Sequence, residues 1–238
     1  NVRRQLGLIE NNENNTCRLI HAEGDGLPGL IADFYSGVLV IQCHTPGMHK
    51  EMKLLCAAFS EALGDALFAV YDKSSKSLAK HGGITSEDGL VWGKLPENHH
   101  AMEHGHKFNI DWEKGQKTGF FIDQRENRKL LAHYSKGKKV LNVFSYTGGF
   151  SIYAMKAGAT EVHSLDSSAR ALEICDENVV LNDLPAKGHK SLQEDAIAFL
   201  KEDLSEYDII VLDPPAFAKR ATARHAAVQG YKRINLRA

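Results

Sequence analysis

The sequence predicts an α/β chain whose second half is a doubly wound parallel sheet and whose first half is a small α+β domain. Three observations predict it. From residue 139 onward, short apolar β-branched runs alternate with segments of helical period, the order that calls for parallel strands with helices on both faces. Before residue 116 there are strand-like runs with one strong helical segment among them. Each apolar run of the second half is also followed by a glycine pair or an acid, at the edge where such sheets bind ligands.

The chain has 238 residues, 43% of them hydrophobic, enough for a sizeable core or two modest domains. Its formal net charge is −1, but the charge is uneven. From Pro214 onward there are six basic residues (Lys219, Arg220, Arg224, Lys232, Arg233 and Arg237) and no acid, which leaves −7 on residues 1–213. Such a segment is either a solvated helix face or a phosphate-contacting surface. The four cysteines, Cys17, Cys43, Cys56 and Cys175, form no Cys-x-x-Cys pair and suggest neither a disulfide framework nor a zinc ribbon. With no signal peptide and no bilayer-spanning apolar run, a reducing, cytoplasmic setting without membrane contact is expected.

Residues 1–15, with "NNENN" at 11–15, are expected to be a linker or loop. The small domain is expected over 16–116. Its Val38–Cys43 run is apolar and β-branched, hence a strand. Thr45 and Pro46 open a helix, as N-cap and first helical residue, and Met52, Leu55, Phe59 and Leu63 continue its period to a stop at Gly64. Residues 67–71 form another strand, and 89–112 hold further strand-like runs broken at 96–98 and at Gly105. The second domain is expected over 117–238. Its strands fall at 139–144, 161–165, 187–191 and 207–212, and its helices at 149–157, 169–182 and 195–204.

Four features sit at the four strand ends of the second half. They are the turn "FSYTGGF" at 144–150, Asp166, Asp195 and Asp213. Gly148 and Gly149 permit a tight turn and close backbone approach to a ligand. Asp166 lies 18 residues after Gly148, near the offset of a ribose-binding acid. Singly, each feature also reads as a turn or a helix cap; together they mark a site. The dinucleotide fingerprint is absent from the first turn, and "GQKTG" at 115–119 lacks the glycines of a phosphate-binding loop. S-adenosyl-L-methionine, which needs an acid for its ribose and a glycine turn for its methionine end but no diphosphate cradle, fits best. The histidines of "HHAMEHGH" (99–106) match no zinc spacing, and no metal is expected.

Four longer motifs then carry a resemblance: "GQKTGFFIDQRENR" (115–128), "VLNVFSYTGGFSIYA" (140–154), "DPPAF" (213–217) and "QGYKRIN" (229–235). Together with "RLIHAEGDGLPGLIADFY" (18–35), they resemble the bacterial 23S ribosomal RNA methyltransferases of the large-subunit cytosine-5 type. The resemblance spans nearly the whole chain. It implies a Rossmann-like class I methyltransferase domain, of which the first four strands are present, behind a central domain that contacts RNA. It also implies a PUA domain before this chain and, after it, further strands with the cysteine that attacks the base. The cofactor residues it implies are Phe120, Gln124, Arg128, Asn142, Phe144, Ser145, Tyr146, Thr147, Gly148, Asp166, Ser167, Asp195, Ala196 and Asp213. The resemblance also implies that the segment 117–128 folds over the cofactor, and Asp123 and Glu126 form an Asp-x-x-Glu pattern that opens a helix there.

Asp213, Pro214 and Phe217 are the expected catalytic group. Proline locks φ and fixes the exit path of the strand, so Asp213 is placed to hold the edge of a base. Ala216 follows the prolines where amino-methylating enzymes carry an aromatic, which favours methylation at carbon. Lys219, Arg220 and Arg224 are the expected RNA contacts; Lys73, Lys76 and Lys80 are further candidates for RNA phosphates, each of which alone reads first as a solvated surface lysine. The expected partner is 23S-type ribosomal RNA, with a homodimer left open. Guanine methylation by a cysteine-free relative and a non-catalytic RNA-binding fragment are the alternatives.

Overall fold

A computed structural model describes the chain, residues 1, 10, 82, 84, 98, 219 and 220 excepted. It forms two compact units, Asn1–Asp123 and Gln124–Ala238.

The first unit is built on five strands, β1 (Thr16–His21), β2 (Leu30–Tyr35), β3 (Val38–Cys43), β4 (Ala69–Asp72) and β5 (Gly89–Gly93), in that spatial order. All neighbours are antiparallel except β3 and β4. Helices α1 (Val2–Gln5), α2 (Pro46–Lys50), α3 (Met52–Leu63) and α4 (Ser75–His81) accompany the sheet, and β6 (Ala101–Glu103) and β7 (His106–Phe108) form a separate hairpin. His104 and Gly105 both have positive φ at its tip, the geometry that a two-residue hairpin turn requires. Leu30, Ala32 and Phe34 of β2 and Leu39, Ile41 and Cys43 of β3 alternate onto one face, where Cys56 of α3 joins them.

The helix predicted from Pro46 is broken. Thr45 caps it as expected, its hydroxyl accepting from Met48 N at 3.3 Å. At Glu51, however, the N–H turns back only three residues, to Met48 O, and the α-helical ladder restarts with Leu55 N to Glu51 O. The expected linker is not a free strand of chain either. Arg3 donates through both terminal nitrogens to Asp25 at 2.6 and 2.8 Å.

The second unit holds α5 (Arg125–Ser135), β8 (Lys139–Val143), α6 (Gly149–Lys156), β9 (Glu161–Asp166), α7 (Ala169–Leu181), β10 (His189–Gln193), α8 (Ala196–Phe199), β11 (Ile209–Leu212) and α9 (Arg224–Asn235). The four strands are all parallel, in the order β10-β9-β8-β11. The chain winds outward from β8 to β10 and then crosses to the other side of β8. The order therefore reverses at β8, and ligands bind at the carboxyl ends beside such a reversal. Leu141, Val143, Leu165, Ala196, Leu200 and Ile234 form one core cluster.

Three local expectations shift. Helix α8 ends at Phe199 rather than at 204: Lys201 N and Glu202 N turn back only three residues, to Ala198 O and Phe199 O, and Asp203 then closes a further turn by accepting from Ser205 N at 2.9 Å. The third strand starts at His189, since 186–188 is a 3-10 turn behind Pro185. Helix α5 opens at Arg125 with Gln124, rather than Asp123, at its N-cap, and Gln124 makes no side-chain cap bond. Among the described residues, no helix is long and apolar enough to cross a membrane.

Candidate active site

The turn after β8 is held in a conformation it would not adopt alone. Phe144, Tyr146 and Gly148 have φ of 62°, 48° and 78°. For a residue other than glycine this costs of order 1–3 kcal/mol unless the surroundings impose it. They do. Ser145 N donates to Leu165 O at 3.0 Å, and Tyr146 N donates to the Asp166 carboxylate at 2.9 Å. Asn178 of α7 donates its amide to Thr147 O at 2.9 Å. Gly148 then serves as N-cap of α6.

At the end of β8 and within this turn, three buried polar atoms lack a hydrogen-bond partner: Asn142 Oδ1, Ser145 Oγ and Thr147 Oγ1. A buried polar atom without a partner costs about 1–3 kcal/mol. Three of them on the strand end and glycine turn, at the strand-order reversal, fit a polar ligand such as the amino-acid end of S-adenosylmethionine.

Asp166 joins them from the end of β9. Its Oδ2 accepts from Tyr146 N and its Oδ1 from Ser168 N, both at 2.9 Å. Each oxygen keeps a lone pair able to accept a further hydroxyl. Helix α7 is capped instead by Ser168, whose hydroxyl accepts from Ala171 N at 3.2 Å. Capping is thus not what Asp166 does, and Ser167 lies exposed beside it. Asp195 does cap: its Oδ1 accepts from Ala198 N at 2.8 Å, with Ala196 buried behind it.

Asp213 is exposed at the end of β11, and Gln124 reaches its Oδ1 at 3.4 Å. Pro214 follows. Phe217 stacks at 4.6 Å on Tyr231 of α9, and the Tyr231 hydroxyl accepts from Phe217 N at 3.3 Å. The aromatic thus docks α9 onto the strand exit. Arg128 is 2% exposed within α5. Phe120 lies in the first unit, its ring 4.9 Å from Phe108. Arg224 is exposed at the start of α9, while Lys219 and Arg220 lie outside the described residues. Lys73 is not a surface phosphate contact: it is 6% exposed and donates to Gly115 O at 2.8 Å.

The histidine motif binds backbone, with His99 donating to Tyr35 O and His106 to Glu103 O. All four cysteines are buried. Burial pushes the Cys175 thiol up to about 12 and the Cys43 thiol up to about 11, so neither is a nucleophile at neutral pH. The sequence did not single out Ser151, Ser164, Asn178 or His189, although these hold the turn from below. Their only signal was polarity at positions that the strand and helix periods place inside.

A family profile described as S-adenosylmethionine-dependent methyltransferase matches residues 17–238. A ribosomal RNA large subunit methyltransferase I from Aeromonas hydrophila is 38% identical over 97% of this chain and 59% of its own length. A ribosomal RNA large subunit methyltransferase from Deinococcus radiodurans is 38% identical over 91% of this chain and 54% of its own. The chain thus spans little more than half the length of these relatives. A solved structure described as a methyltransferase complexed with SAH superposes with a TM-score of 0.79 at 25% identity, covering 98% of this chain and 61% of that one. The matched profile and the strand-end geometry agree, and the chain belongs to the S-adenosylmethionine-dependent methyltransferase family.

Proposed function

We propose that the complete protein methylates a base of large-subunit ribosomal RNA, at carbon 5 of cytosine, with S-adenosylmethionine as the methyl donor. The observation that carries the reading is the turn at 142–148, with three partnerless buried polar atoms beside the Asp166 carboxylate. Bound there, the cofactor would supply an electrophilic methyl group. Asn142, Ser145 and Thr147 would hold its amino-acid end, and Asp166 its ribose. Asp213, at the mouth of the site, would accept from the amino edge of the base, as carboxylates do from cytosine.

Carbon 5 of cytosine is a weak nucleophile until a thiolate adds at carbon 6. The buried thiols of this chain do not suit that role, so the reading assigns it to a cysteine outside residues 1–238. A cytoplasmic setting, an accompanying PUA domain, the division of the chain into central and methyltransferase domains, and pairing into a homodimer belong to the same proposal. The likeness to large-subunit rRNA methyltransferases supports it. The experiment is nucleoside mass spectrometry of 23S-type rRNA from cells with and without the gene. Loss of one 5-methylcytidine is expected. Loss of a methylguanosine instead, or an unchanged profile, overturns it.

A further inference from the structure

A file of buried polar side chains runs beneath the turn, from β8 to the surface. Asn142 and Ser164 are register partners on β8 and β9. Asn142 Nδ2 donates to Ser151 Oγ at 2.9 Å. Ser151 Oγ lies 2.6 Å from Ser164 Oγ, and Ser164 Oγ lies 2.7 Å from His189 Nε2. On the far side His189 Nδ1 is 3.3 Å from Asp176, whose side chain is 58% exposed. Asn142, Ser151 and Ser164 are each at most 1% exposed.

We propose that His189, acting through Ser164 and Ser151, is a positioning residue that decides which atom of the Asn142 amide is presented to the cofactor. The inference rests on the S-adenosylmethionine reading of the site.

The argument is a count of protons. A serine hydroxyl has one proton to give. A neutral His189 protonated at Nδ1, toward Asp176, accepts at Nε2 from Ser164. The Ser164 proton is then used, so Ser164 accepts from Ser151. The Ser151 proton is used in turn, so Ser151 accepts from Asn142, which therefore offers its NH2. The amide oxygen is what remains, and Asn142 Oδ1 is the atom left without a partner. Such an acceptor matches the ammonium group of an amino acid.

Protonating His189 reverses the file. Nε2–H now donates to Ser164, Ser164 to Ser151, and Ser151 to the Asn142 oxygen after a half-turn of the amide. The NH2 is then aimed at the ligand, donor against donor. Asp176 and Cys175 of α7 and Ser164 of β9 face the imidazole directly, and His163 of β9 acts on it through charge. His163 is itself bonded to Glu161 and Tyr207. Burial holds His189 below the ordinary histidine range against the pull of Asp176, so the neutral form dominates at neutral pH.

The first test needs no mutation. In the 238-residue protein with 15N-labelled histidine, two-bond NMR correlations should show His189 as the Nδ1–H tautomer at pH 7.5; the signal is assigned by its loss in His189→Gln. An Nε2–H tautomer overturns the file. The second test is calorimetry with S-adenosylhomocysteine between pH 8 and 5. Wild-type affinity should fall by about ten-fold or more, the worth of one charge-assisted bond, as pH drops through the His189 transition. His189→Gln accepts from Ser164 without titrating, so it should keep the neutral-pH affinity and lose the acid decline. A flat wild-type profile, or the same decline in His189→Gln, overturns the proposal. Absence of binding at every pH sinks the cofactor reading instead, and the tautomer still decides the file.

Discussion

Gly148 stands directly over Cys175: a β-carbon added at Gly148 would lie 2.2 Å from the Cys175 sulfur. The position also has a φ of 78°, which side chains other than glycine adopt at a cost of about 1–2 kcal/mol. Overpacking adds about 1–3 kcal/mol. Gly148→Ala should therefore destabilise the protein by about 2–5 kcal/mol, read as a lower urea midpoint at unchanged slope. Pairing it with Cys175→Gly should recover the overpacking part but not the backbone part. Equal midpoints for the single and double variants would contradict the contact.

Asp166 anchors the turn by accepting from Tyr146 N and Ser168 N, and the proposed function gives it the ribose of the cofactor. Asp166→Ala should weaken S-adenosylhomocysteine binding by about 1.5–3 kcal/mol, the worth of a hydrogen bond to a charged group. Calorimetry on the 238-residue protein decides it, and an unchanged dissociation constant removes Asp166 from the site.

In the first unit, the fully buried Asp33 carboxylate takes both Arg18 nitrogens at 2.8 and 2.9 Å, together with the Thr118 hydroxyl. Removing one partner of a buried pair costs about 3–5 kcal/mol, because the other charge stays behind. The Arg18 side chain is 38% exposed, so water reaches it and Arg18→Met should fall at or below the lower end. Asp33→Asn with Arg18→Met should cost less than Arg18→Met alone. Denaturant melts of the set measure the difference.

The buried thiols predict an alkaline weakness. In the unfolded chain a cysteine ionises near its ordinary value of about 8.5, whereas Cys43 and Cys175 stay protonated up to about 11 and about 12 when folded. Above the unfolded value the unfolded chain binds fewer protons, so stability falls as pH rises through this window and is fully present below it. Unfolding free energy should therefore decline above about pH 9. Cys175→Ala should flatten the decline. In the native protein at pH 8, thiol reagents should label none of the four cysteines.

Lys219, Arg220 and Arg224 precede or open α9 without a neighbouring acid in sequence. Replacing all three by alanine in the complete protein should weaken RNA binding broadly. It should also lower the slope of log affinity against log salt by roughly two, with cofactor affinity unchanged. Parallel salt plots for variant and wild type would locate the RNA elsewhere.

The parallel sheet was legible because apolar runs such as 139–143 and 161–166 alternate with segments of helical period, and because the first run is followed by a glycine turn and the second ends in an acid. Asp166 and the glycine turn were legible for the same reason. What stayed hidden were the tertiary partners. Nothing local in "HSL" says that Ser164 meets Ser151 and His189, because those contacts join three elements. The roles of Asp195 and Phe217 could not be separated from capping and packing, since one carboxylate or one ring has the same local pattern in either use. Lys73 was misjudged because a lysine buried by a backbone carbonyl looks, in sequence, like any surface lysine.

The Thr118 hydroxyl, 2.6 Å from Asp33 and 2.8 Å from the Tyr35 hydroxyl, has a practical consequence for anyone dissecting the gene. A cut between Gln116 and Lys117, the domain boundary expected from the sequence, would separate a buried carboxylate and a buried phenol from the hydroxyl that donates to the first and accepts from the second. It would also take Phe120 from beneath Phe108. The first half would then be expressed with polar groups sealed in its interior and no counterpart for them, a recipe for insoluble protein. A cut between Asp123 and Gln124 leaves that interior whole.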